Sequence, residues 1–198
     1  MTLKIGLTGS IGMGKSTTGE FFKDAGLPVW DADAAVHELY QPKKAGAEAI
    51  SHICPDAVTE TGVDRATLRA AIQQNPALLQ QIEQTIHPLV AQHRNAFIEA
   101  HVTAPAVVFD IPLLFETGAE AWLDHVVVVT APGDVQRARV LARPGMTESS
   151  FNAILQKQLP DAEKRLRADS LIDTSQGLES ARAQVTEILV KLGIKPDA

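Results

Sequence analysis

Cysteine is almost missing from this chain. Cys54 stands alone among 198 residues, so no intrachain disulfide can form and thiols supply no metal framework. A reducing cytoplasm is the expected setting, and Cys54 reads as a small buried apolar residue. Runs of like charge are also lacking: 24 acidic residues stand against 18 basic ones, for a formal net charge of -6. That balance offers no electrostatic footprint for a nucleic-acid backbone, so none is expected as a partner. No segment is apolar over the length of a membrane span, and the start of the chain lacks the charged-then-apolar pattern of an export signal. Internal repeats and low-complexity stretches are absent as well. What is present is 45% hydrophobic residues in one modest chain, enough for a single core with room for an inserted subdomain.

Leu3 to Leu7 is a short apolar run followed by a glycine-rich turn and then a helical pattern through Phe21 and Phe22, which reads as strand, loop, helix. A second brief apolar run, Leu27 to Trp30, ends in Asp31-Ala32-Asp33. From Ala34 to about His101 the texture shifts to helix formers, and an all-helical insertion is expected there. Strand character returns in Ala106 to Asp110, in His125 to Thr130 and weakly in Ser170 to Asp173. Short, continuously apolar strands alternating with helices imply a parallel sheet covered on both faces, hence a three-layer α/β fold. Ligands in such sheets bind beyond the carboxyl ends of the strands. The glycine turn, Asp31, Asp33, Asp110 and Thr130 all fall at such ends.

Gly9-Ser10-Ile11-Gly12-Met13-Gly14-Lys15-Ser16 satisfies the Walker A pattern, after a strand and before a helix as its mechanism requires. Glycines let main-chain N–H groups turn inward around a phosphate, and the following helix adds the positive end of its dipole. Lys15 then bridges β- and γ-oxygens of ATP, and the Ser16 hydroxyl holds Mg²⁺. The candidate nucleotide-binding set is Gly12, Met13, Gly14, Lys15, Ser16 and Thr17. A GTPase would need an Asn-Lys-x-Asp segment, which is absent. Transfer to a small-molecule acceptor is the leading reading, and a slowly hydrolysing nucleotide switch or binding module is the alternative.

Asp31 and Asp33 are two apart in what reads as extended chain, so both carboxylates would point to one side. One would accept the proton of an attacking hydroxyl and the other would hold water on the magnesium; the plain alternative is that one of them caps a helix starting near Ala34. Asp110 resembles the carboxylate that binds magnesium at a strand end, with a turn-forming role as its alternative. Gln136, Arg139 and Arg143 share one face of a predicted helix, as a lid reaching the transferring phosphoryl requires. Lys164 reads as solvated. His87 before Pro88 reads as structural, with a kink or helix end there and substrate contact as the alternative.

With these segments in view the sequence resembles the dephospho-coenzyme A kinases nearly end to end. The likeness lies in Gly6-Leu7-Thr8-Gly9, Asp31-Ala32-Asp33, Ile86-His87-Pro88-Leu89-Val90 and Asp110-Ile111-Pro112-Leu113-Leu114-Phe115-Glu116, then in Gln136, Arg139, Arg143, Gln158, Lys164 and Ala168-Asp169. The resemblance implies a P-loop NTPase fold with a five-stranded parallel sheet of order 2-3-1-4-5. It places a nucleotide core at 1–35 and 104–198, a helical acceptor-binding insertion at 36–100 and a helical lid at about 134–168, all in one kinase domain. It implies ATP and dephospho-coenzyme A as substrates, Mg²⁺ as cofactor and a cytoplasmic monomer. Asp33 would be the base, with Lys15, Arg139 and Arg143 catalytic beside it. Thr8, Asp31, Asp33, His87 and Leu114 would bind the acceptor, and Ser16 and Asp110 the metal. Thr174 stands where the family usually has an Asn near the adenine, and Pro144 where an acidic or amide residue usually follows the lid arginine. Another P-loop small-molecule kinase is the nearest rival.

Overall fold

The computed structural model describes residues 2–195. In chain order the elements are β1 (Leu3–Thr8), α1 (Lys15–Asp24), β2 (Val29–Asp31), α2 (Ala32–Leu39), α3 (Ala45–Ile53), β3 (Val58–Thr59) and β4 (Gly62–Val63). There follow α4 (Arg65–Gln74), α5 (Ala77–Ala100), β5 (Ala106–Asp110), β6 (His125–Thr130), α6 (Gly133–Leu141), α7 (Glu148–Leu155), α8 (Asp161–Arg167), β7 (Ser170–Asp173) and α9 (Leu178–Lys191). Two compact units result, one from residues 1–30 and 101–198 and one from 31–100.

The first unit is built on a five-stranded sheet of order β2-β5-β1-β6-β7. Counting only strands of this sheet in chain order, that is 2-3-1-4-5. The sheet is parallel, with Leu7 paired to Asp110 and to Val127, and Thr130 paired to Asp173. Strand β6 shows why its sequence is apolar at every step. Val127 and Val129 join Ile5, Leu7, Phe22, Ile172 and Leu189 in one cluster, while Val126 and Val128 join Leu114, Phe115 and Ala119 in another. Successive side chains point to opposite faces, and both faces are covered, so neither set meets water. Each such valine contributes roughly 1.5–3 kcal/mol of burial.

The second unit has its own apolar cluster, in which Ile50, Leu68, Leu78, Ile82 and Ile86 meet. It is not wholly helical. Strands β3 and β4 form a small antiparallel hairpin, with Val58 opposite Val63 and Thr59 opposite Gly62. Gly62 sits at φ 104, a backbone state that side chains rarely adopt, so the turn follows the glycine. Helix α5 also departs from expectation, because it runs through Pro88 without ending. Proline removes one of the ladder's N–H groups, and the apolar anchors on either side, Ile82 and Ile86 before it and Leu89 and Val90 after it, keep the helix packed.

Candidate active site

The phosphate loop joins β1 to α1. Gly14 caps the helix in the left-handed region, at φ 93, and no side chain caps it. The first turn of α1 therefore keeps N–H groups that no oxygen among the described residues claims, and Thr18 is the first residue bonded back, to Gly14 O at 3.0 Å. Such a terminus is an anion site. The glycines are dictated by packing as well as by φ. A Cβ on Gly12, at φ 80, would come within 2.5 Å of Val140 Cγ2, and one on Gly14 within 3.1 Å of Thr174 Cγ2. Met13 buries its side chain in the main core and uses its N–H to close a turn on Ser10 O at 3.2 Å.

Lys15 lies against Asp110, the buried carboxylate that ends β5. The two residues expected to handle phosphate and metal thus meet one another at the loop. Ser16, in the first turn of α1, is exposed. One hydroxyl and one carboxylate, with phosphate oxygens and water to complete the shell, are the hard oxygen donors that magnesium takes, so these residues fit that ion.

A cavity of about 360 Å³ opens beside the loop, lined by Gly12, Gly14, Thr17, Arg139, Arg143 and Thr174. Phe21 and Leu178 supply it with an apolar wall. Its size is that of a small-molecule site. Arg139 donates to Thr174 Oγ1 and to Thr174 O, both at 2.8 Å. Thr174 in turn donates to Met13 O at 2.8 Å. The threonine is therefore a relay between the loop and α6. Arg143 does not share the helix with Arg139 as expected. Helix α6 stops at Leu141, and Arg143 follows its cap, Ala142, with Pro144 next. Both arginines nevertheless line the one cavity.

Several other expected residues fall elsewhere. Thr8 is fully buried, and its hydroxyl donates to Pro112 O at 3.2 Å. Leu114 is fully buried in the apolar cluster under β6. Lys164 is not solvated: its side chain is 0% exposed, and its ammonium lies 2.9 Å from Glu116 Oε1. Burial raises the Glu116 pKa, but Lys164 and the Leu159 N–H, 2.7 Å away, outweigh it and hold that carboxyl below the usual range.

Asp31 and Asp33 belong to the second unit, and the extended geometry expected of them holds at Asp31 but not at Asp33. Helix α2 begins at Ala32, with Asp31 as its cap accepting from Ala34 N at 2.8 Å, and Asp33 in the first turn. An aspartate before a run of helix formers takes the cap position, and that starts the helix one residue too early for strand alternation to reach Asp33. Among the described residues the Asp33 carboxylate makes no hydrogen bond or ion pair. His87 is exposed on α5.

The chain is similar to known proteins over nearly its whole length. The family model described as dephospho-CoA kinase matches residues 3–180. A dephospho-CoA kinase of Bradyrhizobium diazoefficiens is 52% identical over 191 residues, which cover 95% of this chain and 94% of the relative. Among solved structures, TT1252 from Thermus thermophilus superposes with a TM-score of 0.81 at 33% identity, over 96% of this chain and 98% of that one. A dephospho-CoA kinase from Campylobacter jejuni shares the fold, with a TM-score of 0.68 at 22% identity over 96% and 97% of the two chains.

Proposed function

The chain belongs to the dephospho-CoA kinase family, and on that premise we propose that it moves the γ-phosphoryl group of ATP onto the ribose 3′-hydroxyl of dephospho-coenzyme A, giving coenzyme A and ADP. The observation that carries this reading is the uncapped start of α1, flanked by Lys15 and opening on a cavity that two arginines line. The bond between the γ-phosphorus and the β,γ-bridging oxygen breaks, the bond to the acceptor oxygen forms, and the hydroxyl proton leaves to a base.

Main-chain N–H groups at Gly14 to Thr17 hold the β-phosphate, and Lys15 leaves Asp110 to meet the β- and γ-oxygens. Arg139 and Arg143 face the charge that spreads over the transferring group. Ser16 and Asp110 would hold Mg²⁺, which when bound would neutralise phosphate charge. Asp33 takes the proton, since its carboxylate is not engaged in a cap as that of Asp31 is. The base of ATP lies against Phe21 and Leu178, near Thr174. His87 is assigned to the acceptor side together with Asp31, while Thr8 and Leu114 shape the loop after β5 from within the core.

Residues 36–100 act as the acceptor-binding insertion and the helices between 134 and 168 as the lid, whose closure keeps water from the phosphoryl group. No helix among the described residues is long and apolar enough to cross a membrane. The enzyme works as a cytoplasmic monomer in this reading. ADP formation measured over a panel of acceptors tests it: turnover should require dephospho-coenzyme A, and equal turnover with shikimate, gluconate or a nucleoside monophosphate would refute the assignment.

A further inference from the structure

One residue of the phosphate loop has both of its main-chain polar groups held from outside the loop. Ile11 N–H donates to Gln158 Oε1 at 3.1 Å, and Ile11 C=O accepts from Gln136 Nε2 at 2.8 Å. Peptide chemistry dictates which end of each amide faces it: an N–H needs a carbonyl oxygen, and a C=O needs an NH₂. Gln136 projects from α6 and is 7% exposed. Gln158 comes from the connection between α7 and α8.

The contacts matter because of what surrounds Ile11. Gly12 and Gly14, at φ 80 and φ 93, lack the side chains that restrict a backbone, so the loop's own residues define its path weakly. External bonds must supply that definition. We propose that Gln136 and Gln158 form a two-sided clamp on the main chain of Ile11, positioning residues that hold the phosphate loop in its ATP-binding shape before ATP arrives. A loop that holds the competent conformation binds nucleotide more tightly, because no part of the binding energy goes to selecting it. The clamp also ties the helical segment carrying Arg139 to the loop that this arginine serves. The inference rests on the reading that the loop binds ATP.

The clamp is chemically unsymmetrical, and this makes it testable. Gln158→Glu keeps an acceptor for Ile11 N–H, whereas Gln136→Glu sets a carboxylate against Ile11 C=O. The full chain is titrated with Mg-ATP in a calorimeter without acceptor, and the thermal midpoint of each variant is recorded alongside. Gln136→Glu and Gln158→Leu should each raise the Kd for ATP about tenfold, the effect of losing a bond of this class. Gln158→Glu should restore it to within about twofold of the unaltered chain. In turnover, Gln158→Leu should raise KM for ATP with a much smaller change in kcat. Equal effects of glutamate at the two positions, or normal ATP affinity in Gln158→Leu, would overturn the clamp. Should Gln136→Glu fail to fold, the pair Gln158→Leu and Gln158→Glu still decides the matter. Absence of ATP binding by the unaltered chain would remove the functional reading and the clamp together, while normal binding with indifferent variants removes the clamp alone.

Discussion

Replacing Glu116 with leucine should destabilise the protein far more than replacing its partner Lys164 with methionine. The Lys164 side chain is 0% exposed against 18% for Glu116, and its ammonium has no aligned hydrogen bond. Glu116 is its counter-charge. At their 2.9 Å separation and an effective dielectric of about 20, the pair attracts by about 6 kcal/mol, most of which offsets the desolvation of both ions. Removal of the carboxylate leaves a buried cation, at a cost of about 3–5 kcal/mol. Lys164→Met leaves a carboxylate that keeps both the Leu159 N–H and some water, so about 1–2 kcal/mol is expected. The double variant should recover most of the loss. For a chain of this length the Glu116→Leu deficit amounts to about 6–20 °C in thermal midpoint. Urea unfolding at pH 7 is the assay. A Glu116→Leu deficit under about 1 kcal/mol, or a double variant no more stable than Glu116→Leu alone, would refute the reasoning.

Three further outcomes follow from the same contacts. Gly12→Ala should weaken ATP binding by at least about tenfold, because the new methyl meets Val140 Cγ2 at a φ that costs about 1–2 kcal/mol in itself; calorimetric titration reads this directly. Asp33→Asn should lower kcat by about 10² to 10⁴ with ATP affinity intact, in steady-state assays with dephospho-coenzyme A. His125 gives a pH signature: burial lowers its pKa more than Asp169 raises it, so the unfolded chain takes up a proton near pH 6.5 before the folded chain does. Its contribution is complete above about pH 6.5 and is lost as the pH falls below that value, so unfolding should become easier from pH 7 to 5, with a shallower slope in His125→Gln.

The four valines of β6 show what a sequence can reveal about this fold. Apolar at consecutive positions, they permit only a strand covered on both faces, and the two clusters they enter bear this out. The phosphate loop was equally legible, because its glycines, lysine and serine are demanded by local geometry. The hairpin of β3 and β4 was not, since strands of two residues are too short to display alternation. Lys164 was hidden for another reason. Flanked by Glu163 and Arg165, it looks like any charged helix position, and only the fold brings Glu116 to it. Asp31 and Asp33 show what a shifted boundary changes: a helix that begins at Ala32 makes Asp31 its cap and puts Asp33 in its first turn, off the strand. Gln158 was visible as a family likeness, yet nothing local to it indicated that its partner would be the main-chain N–H of Ile11.

The central claim is the identity of the acceptor atom. A single turnover with excess enzyme and ATP labelled in the γ-phosphoryl group, followed by resolution of the products, addresses it without assumptions about rate. The label should appear in coenzyme A, as a monoester on the ribose 3′-oxygen. Label recovered as inorganic phosphate while dephospho-coenzyme A remains unchanged would contradict the account.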